Sequence, residues 1–267
     1  MPDPPLGFEC VVRRLRAAGC VAAEEEADEL LGGAADTTTL QNWVSRRETG
    51  EPLAWITGTV RFCGHRVRVD PGVYVPRIQS EELARRAASL LPAYGRAADL
   101  CTGSGAIAVH LVAAVPTASV VGVDLDRRSA VCARGNGVRA VVADLARPLR
   151  TRSFDVVTAV APYVPTGELR LLPADVQRYE PRRSLDGGHD GLDLVRRIVT
   201  AAARLLRPGG WLLTELGGDQ QDTLDPALAA SGFILVDPWF DEDGDLRGVA
   251  AQAAVPTRGV EAIRLSA

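Results

Sequence analysis

The chain has 267 residues, 46% of them apolar, with 30 basic and 34 acidic side chains and a formal net charge of −4. This excludes global disorder and allows one large α/β domain plus a small accessory one. The weak negative charge is spread without long runs and every basic residue is arginine, as high-GC codon usage would give; a general nucleic-acid or anionic-membrane surface is therefore not expected.

In chain order, residues 1–57 are expected to form a small helical domain. Phe8, Val11, Val12 and Leu15 recur at helical spacing, and a second helix runs from Glu24 to Leu31, where Gly32-Gly33 would stop it. Thr39 is the expected cap of a third helix through Leu40 and Trp43, ending near Gly50. So small a bundle must dock on the rest of the chain to bury its apolar face. Residues 58–78 form a linker, in which Phe62-Cys63-Gly64-His65-Arg66-Val67-Arg68-Val69 alternates around a glycine as a β-hairpin does. A helix is expected from Ser80 to Leu91.

Residues 79–267 are expected to form the main domain. Apolar strand candidates fall at 97–101, 119–123, 140–143, 154–161, 210–216 and 232–237, with helices between them, notably 105–114, 127–134 and 190–206. This alternation predicts a doubly wound, mostly parallel sheet. A last strand, from Arg247 to Val255, follows the polar turn Asp241-Glu242-Asp243-Gly244-Asp245 and is placed to pair antiparallel. No apolar stretch reaches 18 residues and the opening MPDPPLGFE lacks a basic region, so neither a membrane span nor a secretory signal is expected. The cysteines Cys10, Cys20, Cys63, Cys101 and Cys132 are odd in number and form no CxxC pair, which fits a reducing cytoplasm better than disulfides or zinc. His65, His110 and His189 lack metal-ligand spacing. His110, on the helix after the glycine turn, is expected to be a packing residue.

Ligands of doubly wound sheets bind at the carboxyl ends of the strands, near the point where strand order reverses. The first such turn here is Asp99-Leu100-Cys101-Thr102-Gly103-Ser104-Gly105. Gly103 and Gly105 let the backbone approach a ligand, and the following helix presents free N–H groups. Asp124 ends the next strand, where a carboxylate can accept from both ribose hydroxyls. Asp144 ends the one after and could accept from an adenine amino group, with Leu145 against the ring. Two cofactors fit. Gly103-x-Gly105-x-x-Ala108 satisfies a dinucleotide pattern. S-adenosylmethionine (SAM) is favoured, because Asp99 suits a cationic ligand with an amino group and a second acid at Asp144 suits a nucleoside.

Five blocks, in order, resemble the protein-(glutamine-N5) methyltransferases of the HemK/PrmC type. They are Gly50-Glu51-Pro52-Leu53 with Gly58 and Phe62; Pro76-Arg77-Ile78-Gln79-Ser80-Glu81; Asp99 to Ala108; Tyr179-Glu180-Pro181 with Leu185-Asp186-Gly187-Gly188 and Asp190-Gly191-Leu192-Asp193; and Glu215-Leu216-Gly217 with Gln220. The match spans residues 46 to 250. It implies a seven-stranded SAM-dependent methyltransferase domain behind a small helical one. It also implies an acceptor glutamine in a release factor or ribosomal protein, Cys101 in place of a glycine of the SAM loop, and Val160-Ala161-Pro162-Tyr163 in place of a catalytic Asn-Pro-Pro-Tyr. In that family the asparagine carbonyl and a backbone carbonyl accept the two amide hydrogens and aim a resonance-delocalised nitrogen at the methyl group. Val160 offers no acceptor, although the Ala161 carbonyl remains.

Three expectations follow. The chain methylates a different nucleophile on a small molecule, with Val160 lining an apolar pocket and Tyr163 orienting the acceptor; or it methylates a protein glutamine with another residue in the asparagine's role; or it binds SAM with little activity and serves as an interaction module. Arg77 and Glu180 are candidate acceptor-pocket residues, with an ion pair at the domain junction and a loop-shaping role as the respective alternatives. Arg182-Arg183 is expected on a solvated face.

Overall fold

The computed structural model describes residues 6–255. Helices α1 (Phe8–Ala17), α2 (Ala23–Gly33), α3 (Thr37–Glu48) and α4 (Leu53–Thr57) pack as a bundle around Val11, Leu15, Leu30 and Val44. The cap of α3 is Asp36 rather than Thr39. Its carboxylate accepts the Thr39 N–H at 2.7 Å, and a charged acceptor there also meets the positive end of the helix. Helix α4 was not anticipated, since five residues behind Pro52 are too few to show a period.

Strands β1 (Thr59–Phe62) and β2 (His65–Arg68) form the expected hairpin. Its turn residues Cys63 and Gly64 both have positive φ, 47° and 77°, matching the twist of the flanking strands. Ala54 and Trp55 of α4 pack with Val69, Val73, Val75 and Cys132 in a cluster that joins the bundle to the main domain.

Helix α5 (Ser80–Leu90) leads into the sheet, built from β3 (Arg96–Leu100), β4 (Ser119–Asp124), β5 (Ala140–Val142), β6 (Phe154–Ala159), β7 (Leu206–Glu215), β8 (Phe233–Phe240) and β9 (Leu246–Ala253). Their order is β5-β4-β3-β6-β7-β9-β8, parallel up to β7, with β9 antiparallel to both neighbours. The connections carry α6 (Ala106–Ala114), α7 (Arg127–Gly135), α8 (Ala174–Tyr179), α9 (Asp193–Leu205) and α10 (Gln220–Ala230). One face packs on α5, α6 and α7 through Val156 and Leu213, the other on α9 and α10 through Val157 and Leu212. This is the seven-stranded, mostly parallel α/β architecture of class I SAM methyltransferases.

Several boundaries differ from expectation: α2 runs on through Gly33, β6 ends at Ala159 and β8 continues to Phe240, and two further shifts involve glycine. Strand β7 begins at Leu206, not 210: Leu206 pairs with Phe154, and an irregularity in the register carries the chain past Pro208-Gly209-Gly210. Helix α9 begins at Asp193, not 190, because Gly188 and Gly191 take left-handed backbone, φ 92° and 78°. A Cβ on Gly191 would lie 2.1 Å from the Tyr163 carbonyl oxygen, so only glycine lets this loop close on the segment after β6.

Candidate active site

The strand register sets out the site. Leu100 lies beside Val123 and Ala159, and Ala159 beside Thr214. The next residue of each strand or turn, Asp124, Cys101, Val160 and Glu215, therefore falls in one row across the carboxyl ends of β4, β3, β6 and β7. Strand order reverses between β3 and β6, where a doubly wound sheet opens a crevice. A cavity of about 1070 Å³ fills it.

At the β3 end the chain turns through three left-handed residues, Cys101 (φ 57°), Gly103 (φ 56°) and Gly105 (φ 84°). The Gly103 N–H donates to Asp124 Oδ2 at 2.9 Å, and the Asp126 N–H to Asp124 Oδ1 at 2.8 Å. Each carboxylate oxygen keeps a lone pair for a further donor, while burial pushes the Asp124 carboxyl up. Cys101, Gly103, Asp124 and Leu125 line the cavity. Burial drives the Cys101 thiol upward, so it stays protonated at neutral pH.

Three residues expected at the cofactor are not on this cavity wall. Asp99 lies beneath the turn, 1% exposed. Its oxygens accept from Thr102 Oγ1 at 2.5 Å and Thr158 Oγ1 at 2.8 Å. Burial raises its carboxyl to about 6, and it braces the turn rather than facing the cavity. Asp144 is off the cavity wall, and Arg197 of α9 donates to both its oxygens at 2.8 Å. Leu145 packs against the core behind the sheet and is likewise off the wall.

At the β6 end Val160, Ala161, Pro162 and Tyr163 all line the cavity. Tyr163 is fixed through its carbonyl, which accepts from Gln220 Nε2 at 2.9 Å; the same nitrogen donates to the Asp190 carbonyl at 3.1 Å. Burial, with Glu215 nearby, pushes the Tyr163 phenol up. Arg77 reaches the cavity, lies 5.1 Å over the Tyr74 ring and pairs with Glu180. Glu180 is 5% exposed and lines a smaller neighbouring cavity with Arg77. Burial outweighs Arg77 and raises its carboxyl. Arg182 and Arg183 are exposed as expected, and each reaches an acid, Asp186 and Asp126.

Among the wall residues that carried no site reading in the sequence are Tyr74, Ser80, Glu215 and Arg247. Burial pushes the Tyr74 phenol up to about 12. Glu215 Oε1 and Ser80 Oγ are buried without a hydrogen-bond partner among the described residues. The signal for Glu215 was available, as a carboxylate closing an apolar strand. Tyr74 and Ser80 are brought in from the segment after the hairpin, and no spacing marks them.

These residues fit SAM better than a dinucleotide. Among the described residues, chain neighbours apart, no atom lies within 4 Å of where a Cβ on Gly103 would stand, so the turn is open to a ligand. A pyrophosphate here would meet Asp124 and Asp126, whereas a ribose and a sulfonium would be favoured by them. Among the described residues, no group of three or more His, Cys, Asp or Glu is placed to hold a metal ion, and no helix is long and apolar enough to cross a membrane.

Residues 98–163 match a family model described as a methyltransferase domain. A release factor glutamine methyltransferase of Geobacter sulfurreducens is 41% identical over 196 residues, covering 71% of this chain and 69% of that one. The 4-amino-L-phenylalanine/4-methylamino-L-phenylalanine methyltransferase of Streptomyces pristinaespiralis is 37% identical over 233 residues, covering 82% and 79%. A ribosomal-protein methylase of Lactobacillus delbrueckii subsp. bulgaricus, 17% identical, shares the fold with a TM-score of 0.51 over 71% of this chain and 86% of that one.

Proposed function

From the premise that the chain belongs to the HemK/PrmC-type protein-(glutamine-N5) methyltransferase family and is a SAM-dependent methyltransferase, we propose that its acceptor is the amine of a small molecule. Val160 carries this reading. It occupies the row position between the SAM turn and Glu215, presents no hydrogen-bond acceptor, and packs against the apolar cluster under α5 and α6. An amide nitrogen needs both hydrogens held to aim its delocalised lone pair, and a buried N–H facing a valine costs about 1–3 kcal/mol. An aromatic amine keeps a more available lone pair and tolerates looser aiming. The relative that acts on 4-amino-L-phenylalanine supports this acceptor class.

When bound, SAM supplies an electrophilic methyl group on a sulfonium centre. The chain does the rest. The turn from Cys101 to Gly105 and Asp124 hold the nucleoside end. Val160 and Phe62 keep water from the nitrogen, the Ala161 carbonyl accepts one N–H, and the Tyr74 and Tyr163 rings flank the acceptor. Orientation of this kind is worth up to about 7–11 kcal/mol of barrier.

A second reading, glutamine methylation with another acceptor in the asparagine's place, is favoured by one observation: the unpartnered Oε1 of Glu215. The deciding experiment is SAM turnover with 4-amino-L-phenylalanine and with a glutamine-bearing release-factor domain, for wild type and Val160→Asn. The proposal expects the wild type to methylate the arylamine and to leave the glutamine nearly untouched, with Val160→Asn raising glutamine turnover. Efficient glutamine methylation by the wild type, with no arylamine turnover, overturns it.

A further inference from the structure

Glu215 is the one carboxylate of the strand-end row on the acceptor side of Val160. Register places it level with Val160 on the next strand. It is 5% exposed, lines the cavity, and its Oε1 has no hydrogen-bond partner among the described residues. A buried carboxylate oxygen left unpaired costs free energy unless a ligand completes it. Ser80 Oγ, 3% exposed and also without a partner, opens into the same cavity from α5.

We propose that Glu215 is a catalytic residue: it accepts an N–H of the acceptor amine and takes up the proton released as the methyl group is transferred. This rests on the amine reading above. The nitrogen lone pair forms the new N–C bond as the sulfonium S–C bond breaks and leaves its electron pair on sulfur. The nitrogen is then cationic, and one of its N–H protons passes to the Glu215 carboxylate, leaving neutral methylamine product and S-adenosylhomocysteine. The proton goes on to solvent through the open cavity. The groups that face Glu215 suit this. Ser80 and Tyr163 are uncharged polar neighbours, Tyr74 stays a phenol, and Ser80, Arg247 of β9 and Tyr163 together draw the carboxyl down against the larger upward push of burial. Asp241 pairs with Arg247 and leaves that arginine only a partial counter-ion for Glu215. A carboxylate so placed holds a proton more firmly than an exposed one.

Glu215→Gln keeps the shape and one acceptor oxygen but cannot take the proton. With 4-amino-L-phenylalanine as acceptor, kcat is expected to fall about 100-fold, and the rising limb of the kcat–pH profile, which reports Glu215 in the wild type, to vanish. Calorimetry of the same amine binding to the S-adenosylhomocysteine complex gives a readout apart from turnover: Glu215→Gln retains affinity, and Glu215→Ala loses about tenfold or more. S-adenosylhomocysteine binding is unchanged in both, which certifies the fold. A Glu215→Gln enzyme with wild-type kcat and an intact limb overturns the proposal, as does loss of S-adenosylhomocysteine binding in both variants, which marks a structural residue. Absence of arylamine turnover in the wild type instead overturns the acceptor class; the comparison is then made on the glutamine-bearing domain, where the same lost limb supports Glu215 and a retained one overturns it.

Discussion

Asp99 titrates near 6 in the folded chain against 3.8 for a free aspartate, because burial disfavours its charge more than Thr102 and Thr158 favour it. The folded state thus binds this proton more tightly than the unfolded state does. The contribution is present below about pH 4 and is lost as pH rises through 6, on the order of 3 kcal/mol in all. Asp99→Asn removes the titration, so its stability should fall less than the wild type's between pH 4.5 and 7.5. Urea unfolding at four pH values checks this, and parallel profiles for the two proteins would refute it. The sequence marked Asp99 but did not show the two hydroxyls, Thr102 and Thr158, that its oxygens accept from. A carboxylate next to a glycine turn looks the same whether it meets a ligand or two hydroxyls, and Thr158 is 59 residues away. Cys101 was legible as a substitution in the SAM loop; its φ of 57° shows the added strain, since a side chain there occupies backbone space that suits glycine.

At the scale of elements, α4 and the hairpin make the junction. Trp55, 8% exposed, donates its indole N–H to the Val73 carbonyl at 3.0 Å and meets the Tyr179 ring edge-on at 6.4 Å. Tyr179 in turn hydrogen-bonds Thr49, so one indole links α4, the segment after the hairpin and α8. Trp55→Ala should cost about 3–5 kcal/mol of stability and raise KM for the acceptor while leaving S-adenosylhomocysteine affinity intact. Denaturant unfolding beside calorimetry tests it, and a loss under 1 kcal/mol would show the junction is held elsewhere. The strands were readable from the sequence because buried parallel strands are continuous apolar runs, and β9 because a five-residue acidic turn precedes it. The missed pieces, α4, α8 and the first residues of β7, are short or lie beside proline and glycine, where local signals report a turn and tertiary pairing overrides them.

On the scale of the whole molecule, one cavity takes its walls from both the sheet and the helical bundle, including residues 18–22, 47–50 and 172–176. Hydrogen exchange should therefore show two patterns. S-adenosylhomocysteine alone protects 101–105, 124–126 and 160–163; adding the amine extends protection to the bundle and to 172–176. Protection confined to the sheet in the ternary complex would separate the bundle from the acceptor. The site was only half legible in the sequence because its methyl-donor half is built from two adjacent strand-end turns, at 101–105 and 124–126, whereas its acceptor half is assembled from segments scattered along the chain. The Thr158–Asp99 hydrogen bond gives that division a further meaning. It fastens β6 to the β3 turn two residues before Val160, so the residues that meet the acceptor begin just past the fastening. Replacements from Val160 onward leave the donor turn braced as before, and a lineage carrying this sheet can trade one acceptor for another without first losing its methyl donor.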